Sequence, residues 1–173
     1  MTLIEEDADP LALERQVCFA LALTNRMSDP DFSVAVMNYW VNTVSRDHVQ
    51  WGVAGGFTQA NHGKPNLLRR MARGDWLVFY SPKTHYPEGE PLQAFTAIGQ
   101  VSDDEPYQAE MAPDFHPWRR NVEFLACTET PIRPLLDNLD FVEDKSRWGY
   151  RFRFGVFKID EHDFAVIRSA MTG

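Results

Sequence analysis

The sequence is poor in the features that announce the commoner chemistries. Its two cysteines, Cys18 and Cys127, lie far apart and outside any C-x-x-C spacing. They argue for neither a disulfide framework nor a zinc site, and both are expected as reduced thiols packed like small hydrophobes. No apolar run reaches the roughly 20 residues that a bilayer span needs. The longest, around Cys18 to Leu23, follows Glu5, Glu6, Asp7 and Asp9 rather than a positive segment, so it does not read as a secretory signal. A cytoplasmic protein with no membrane partner is the expectation. Positive charge is scarce too: 17 Lys and Arg stand against 25 Asp and Glu, a net charge of -8. The summed field repels polyanions at long range, so any contact with nucleic acid has to be local.

Catalytic signatures are missing as well. There is no GxSxG, Walker A, GxGxxG or HExxH, which leaves the motif routes to hydrolase, nucleotidase, dehydrogenase and metalloprotease unsupported. Ser45, Asp47 and His48 are suitable types for a nucleophile and base, but residues so close in sequence rarely form a triad. The five histidines show no i, i+4 pairing and no ligand partner at metal spacing. Neither a metal nor a cofactor is expected. The acid run Asp103, Asp104, Glu105 reads as a solvated turn.

At 173 residues the chain fits one domain plus an appendage. Residues 1–36, with seven acids against two arginines, form the appendage. Leu11, Leu13, Val17, Ala20, Leu21 and Ala22 give it one amphipathic helix after Asp9-Pro10. Docking on the body, docking on a partner chain, partial disorder, and an upstream start codon ahead of Met37 all remain open for it.

From Asn38 the pattern changes. Asn38 to Val44 predicts a strand, with Ser45 at an N-cap and a short helical turn over Arg46 to Gln50. Gly52, Gly55 and Gly56 then break the chain, and Phe57 to Lys64 reads as an irregular loop. Pro65 to Met71 predicts a short helix, and Trp76 to Tyr80 a buried strand that leads into a loop over Ser81 to Pro91. Further strands are expected over Leu92 to Val101, Trp118 to Cys127 and Tyr150 to Ile159, with a short helix over Pro131 to Leu139. Asp160 caps a last helix that buries Phe164, Ile167 and Met171. Many short strands without β-α-β alternation argue for a small α+β barrel.

What the chain does have is a basic, ring-studded island from Met37 to Pro82. It holds five Lys or Arg (Arg46, Lys64, Arg69, Arg70, Arg73) against two acids, Asp47 and Asp75. Rings stack on bases and cations neutralise phosphates, so the mixture suits a planar polar ligand that carries a phosphate. Trp76, inside an apolar strand, reads as core. Trp40 and Phe57 stand beside Asn42, Ser45, Gln59, Asn61 and His62, where ligand contact is as natural as burial. Arginine alternates with rings again in Trp118-Arg119-Arg120 and in Arg147 to Phe154. There period 2 puts Arg151 and Arg153 on one strand face and Phe152 and Phe154 on the other.

Five ordered motifs also carry a resemblance: MNYW at Met37, Ser45-x-x-His48-Val49, the GGF-Q-HGK run from Gly55 to Lys64, GDW-YSPK from Gly74 to Lys83, and WGYRFRFG from Trp148 to Gly155. Together they resemble the EVE-domain family of the PUA-like superfamily, over residues 37–173. The resemblance implies a PUA-like mixed pseudo-barrel of about five to six strands with short flanking helices. It implies a non-catalytic domain whose pocket accepts a modified base, 5-methylcytosine-type or other, in DNA or RNA, so that the partner is nucleic acid. The loop Phe57 to His62 and the strand end Tyr80-Ser81 would then wall the pocket. Trp40, Phe57 and Tyr80 would stack on the base, Asn42, Ser45 and Gln59 would meet its edge, and Lys64, Arg69, Arg70, Lys83 and Arg119 would meet phosphates. The rival reading is a nucleotide- or small-molecule-binding accessory factor or enzyme in RNA or tRNA modification. A third is a protein-interaction role through the N-terminal helix.

Overall fold

The computed structural model describes residues 37–60 and 63–173. The helix expected within residues 1–36, any partner chain docked through it, and the assignment of His62 to the pocket lie outside the described residues.

Eight strands form one curled mixed sheet: β1 (Tyr39–Thr43), β2 (Phe57–Thr58), β3 (Trp76–Lys83), β4 (Pro91–Val101), β5 (Tyr107–Gln108), β6 (Trp118–Phe124), β7 (Thr130–Pro131) and β8 (Val156–Ile159). The main path is β2-β6-β4-β3-β1-β8, with β5 on β6 and β7 on β4. The expected five to six strands are this path, and two short pairings extend it. Strands β1 and β3 run parallel with Asn42 opposite Phe79 and Thr43 opposite Tyr80, and the other pairs are antiparallel. A parallel pair needs a crossover, and helix α1 (Arg46–Gly55) lies in that connection.

Side chains of a strand alternate between faces, so the central strands feed two separate cores. Val41, Val78, Tyr80, Phe95 and Ile98 pack with Phe164, Ile167 and Met171 of helix α2 (Glu161–Thr172). Trp40, Leu77, Phe79 and Ala97 pack on the other side with Val49 of α1 and with Leu68 and Met71. The cap expected for α2 is present: the Asp160 carboxylate accepts from Asp163 N at 2.8 Å.

Three local expectations change. Helix α1 continues past Gln50 to Gly55, because Gly52 and Gly55 serve close packing instead of breaking the chain: a Cβ on Gly55 would sit 2.5 Å from the Phe57 ring. Gly56, at φ 66°, ends the helix in the left-handed conformation that glycine adopts without a steric cost. Residues 151–154 form a 3-10 turn rather than a strand. The Phe152 ring stacks on Tyr80 at 3.8 Å, so core packing overrides the period-2 pattern there, and Arg151 and Arg153 do not share a strand face. Asp103, expected in a solvated turn, is held against the buried Arg120 at 2.5 Å.

Candidate functional site

Helix α1 begins where β1 ends, and this junction builds the site. Ser45 stands at the N-cap, yet its hydroxyl does not cap the helix. It lies instead 2.8 Å from Nδ1 of His48, one turn on. Asp47 Oδ1 is 3.5 Å from the same nitrogen. A Ser-His-Asp relay needs the hydroxyl and the carboxylate on opposite ring nitrogens, so this cluster is not one. Burial pushes the Asp47 carboxyl up, but the Ser45 hydroxyl, the His48 backbone N–H and the nearby His48 and His85 rings outweigh it and hold the group below the usual carboxylate range. Trp51 meets the His48 ring edge-on, with centroids 5.3 Å apart.

Opposite, β2 carries Phe57, Thr58 and the approach to Gln59, and antiparallel pairing sets Thr58 beside Arg120 of β6. The Arg119 guanidinium lies 3.7 Å over the Phe57 ring centre, and its Nε donates to Gln59 Oε1 at 3.4 Å. Asn42, 2% exposed, donates through Nδ2 to Thr58 Oγ1 at 3.2 Å. These groups line a cavity of about 770 Å³. Phe79 and Val156 contribute apolar wall, while the exposed Trp51, Tyr86, Met111, Phe115 and Phe154 stand at its rim. Thr43 Oγ1, in the same lining, is buried and has no partner among the described residues.

Six of the residues expected from the sequence meet in this cavity: Asn42, Ser45, Phe57, Gln59, Lys83 and Arg119. Six others do not. Trp40 is 0% exposed in the α1-side core, where its Nε1 donates to Asp75 Oδ2 at 2.9 Å. That carboxylate also accepts from the backbone N–H groups of Asn38 and Ala72, so the indole is a structural brace. Tyr80 points to the opposite face of the sheet, into the α2-side core, where burial raises its hydroxyl pKa strongly. Ser81, fully buried, pairs with Thr96 Oγ1 at 2.8 Å. The cavity beside Ser45 is lined by rings that include Phe57, Trp51 and Phe154 and do not include Trp40 or Tyr80. Lys64, Arg69 and Arg70 are exposed and outside the cavity lining. Arg69 leans over Trp118 and Arg70 over Trp40, each at 5.4 Å.

Two residues outside the expected site carry sequence signals, Trp51 at the cavity rim and Arg120 in the interior, away from the cavity lining. Ser45, His48 and Gly52 fall on one helical face, and ending the helix at Gln50 left Trp51 unassigned. On β6, Trp118, Arg120, Val122 and Phe124 alternate inward, which marks Arg120 as an interior cation. It is 0% exposed and donates to the Leu68, Met71 and Asp103 carbonyls as well as to the Asp103 carboxylate.

Residues 38–170 match the EVE domain family. The chain belongs to the EVE-domain family. A "UPF0310 protein" of Mycobacterium avium is 79% identical over 136 residues, 79% of this chain and 99% of that protein. "UPF0310 protein YdcG" of Bacillus subtilis is 42% identical over 134 residues, 78% of this chain and 92% of that protein. Among solved structures, a hypothetical protein from Leishmania major aligns with a TM-score of 0.50 at 15% identity, over 77% of this chain and 93% of that one. This EVE domain thus has an α+β pseudo-barrel fold built on one curled mixed sheet. Human THYN1, solved in complex with 5-methylcytosine containing DNA, aligns with a TM-score of 0.44 at 14% identity over 76% of this chain and 96% of that one.

No helix among the described residues is long and apolar enough to cross a membrane. Cys127 is a free thiol, half-buried, and burial pushes its pKa up, as suits a small packed hydrophobe.

Proposed function

We propose that this EVE domain is a non-catalytic reader that takes one modified base of a nucleic acid, 5-methylcytosine-type or other, into the α1-side cavity. The observation that carries the reading is the convergence of rings and directed polar atoms beside Ser45. Phe57 and Trp51 offer faces for stacking, while Asn42, Ser45, His48 and Gln59 offer donors and acceptors for a base edge. Extruding a base costs a few kcal/mol, which stacking and edge hydrogen bonds in a closed pocket offset. The exposed Lys64, Arg69 and Arg70 are the groups proposed to follow the phosphates of the flanking strand, and local clusters of this kind bind despite an acidic total.

The test is fluorescence anisotropy on labelled oligonucleotides that differ only in one modified base. We expect affinity for the modified strand at least about tenfold tighter, and a steep loss as salt rises. Replacing Phe57 by Ala should erase the preference, and Lys64→Ala should weaken every strand alike. Equal affinity for modified and unmodified strands across a panel of modifications would overturn the reading. Affinity for free nucleotides alone, indifferent to salt, would favour the accessory-factor alternative.

A further inference from the structure

Resting on that reading, we infer that the cavity takes a whole nucleotide rather than a base alone, with the nucleotide's phosphate held by Arg119.

The first observation is charge. Acids outnumber Lys and Arg by 25 to 17 in this chain, yet the cavity lining includes Lys83, Arg119 and Arg153 and no Asp or Glu. Arg46, Arg73 and Arg120 are paired with Glu129, Asp104 and Asp103, whereas Lys64, Arg69 and Arg70, with no carboxylate in ion-pair distance among the described residues, stand on the exposed surface outside the cavity lining. Among the described residues, no carboxylate lies within ion-pair distance of Lys83, Arg119 or Arg153. A concave, ring-walled surface of one sign focuses its field on a ligand of the opposite sign.

The second observation is preorganisation. The Arg119 guanidinium carbon lies over the Phe57 ring, 3.7 Å from its centre, and its Nε donates to Gln59 Oε1 at 3.4 Å. Its two terminal amino groups have no partner among the described residues. A guanidinium held in this way keeps its planar fork for an oxyanion and loses little further rotamer freedom on binding. Lys83, by contrast, already donates to the Pro87 carbonyl at 2.8 Å, and Arg153 stands on the exposed 151–154 turn.

The third observation is size. A volume of about 770 Å³ falls in the upper part of the range of about 300–1,000 Å³ occupied by whole small ligands. A pyrimidine alone would leave most of it to solvent, whereas base, sugar and phosphate together use both the rings and the cation.

The test compares competitors for a labelled oligonucleotide that carries 5-methylcytosine: 5-methyl-2′-deoxycytidine, its 3′- and 5′-monophosphates, and the unmodified monophosphates. We expect at least one methylated monophosphate to displace the strand at about tenfold lower concentration than the nucleoside. Arg119→Gln should remove that gap, and Arg147→Gln, at a surface site paired with Asp144, should keep it. Equal competition by nucleoside and monophosphates, displacement by neither, or a gap that survives Arg119→Gln overturns the inference. So does a 5-carboxylated nucleoside that matches the monophosphate only while Arg119 is present, which would move the anion onto the base. If methylated and unmodified monophosphates compete equally but both beat 5-methyl-2′-deoxycytidine, the modified-base reading fails and the nucleotide site stands.

Discussion

Ser45 Oγ and His48 Nδ1 lie 2.8 Å apart on the first turn of α1, so Nε2 is the ring nitrogen left for a ligand. The pairing explains why a serine at an N-cap position does not cap its helix. Its hydroxyl orients an imidazole at the cavity wall instead.

Replacing Ser45 by Ala releases that ring without removing it. Affinity for the modified strand should fall about threefold to tenfold, in line with one net hydrogen bond, while the melting temperature stays near wild type. Anisotropy and a thermal melt on the same preparation check both halves; unchanged affinity would take Ser45 out of the site.

Trp40 braces Asp75 and does not face the cavity. Trp40→Phe keeps an aromatic ring but leaves the buried carboxylate short of one donor, which should cost about 1–3 kcal/mol of stability. The preference for modified over unmodified strand should not change. A lost preference at preserved stability would return Trp40 to the binding site.

Arg120 ties β6 to the Leu68 and Met71 carbonyls and to the 102–105 turn. Arg120→Met strands the Asp103 carboxylate against an apolar interior, and breaking a buried pair from one side costs about 3–5 kcal/mol. The exposed Arg73–Asp104 pair is similar in distance but sits in water, so Arg73→Gln should leave the urea midpoint where it is. Equal shifts in the two variants would contradict this ranking.

Asp47 has a folded pKa below its ordinary value. A depressed carboxyl binds fewer protons folded than unfolded, so its contribution is fully present above the unfolded value of about 3.9 and is lost as pH falls through the lower, folded one. The stability difference between wild type and Asp47→Asn should therefore shrink as the pH is lowered from about 5 through the folded value. Chemical denaturation at a series of pH values measures it, and a difference that grows in acid would reverse the assignment.

Local chemistry was readable wherever the deciding partner lay within a few residues. The Asp160 cap, the buried stripe of α2 and the apolar run of β3 depend on neighbours at i+3, i+4 or i+2, and the structure has them where the pattern put them. The turn over residues 151–154 carries the alternation of a strand in its sequence. The Phe152 ring finds its place against Tyr80, about 70 positions away in sequence, and no window of local periodicity contains that contact.

The site divides along the same line. Residue types alone, five ordered motifs and a basic island in an acidic chain, determined the family, the pseudo-barrel and the region of the cavity around Ser45, Phe57 and Gln59. Only the folded sheet decided which rings open onto it. The register of β1 against β3 sets Asn42 beside Phe79 on the α1 face and turns Tyr80 to the other, while Asp75 and the cover of Leu68 and Met71 close Trp40 off from solvent. Stacking capacity belongs to every aromatic side chain, but access to a ligand depends on the face of the sheet and on what packs above it, and long-range pairing sets both.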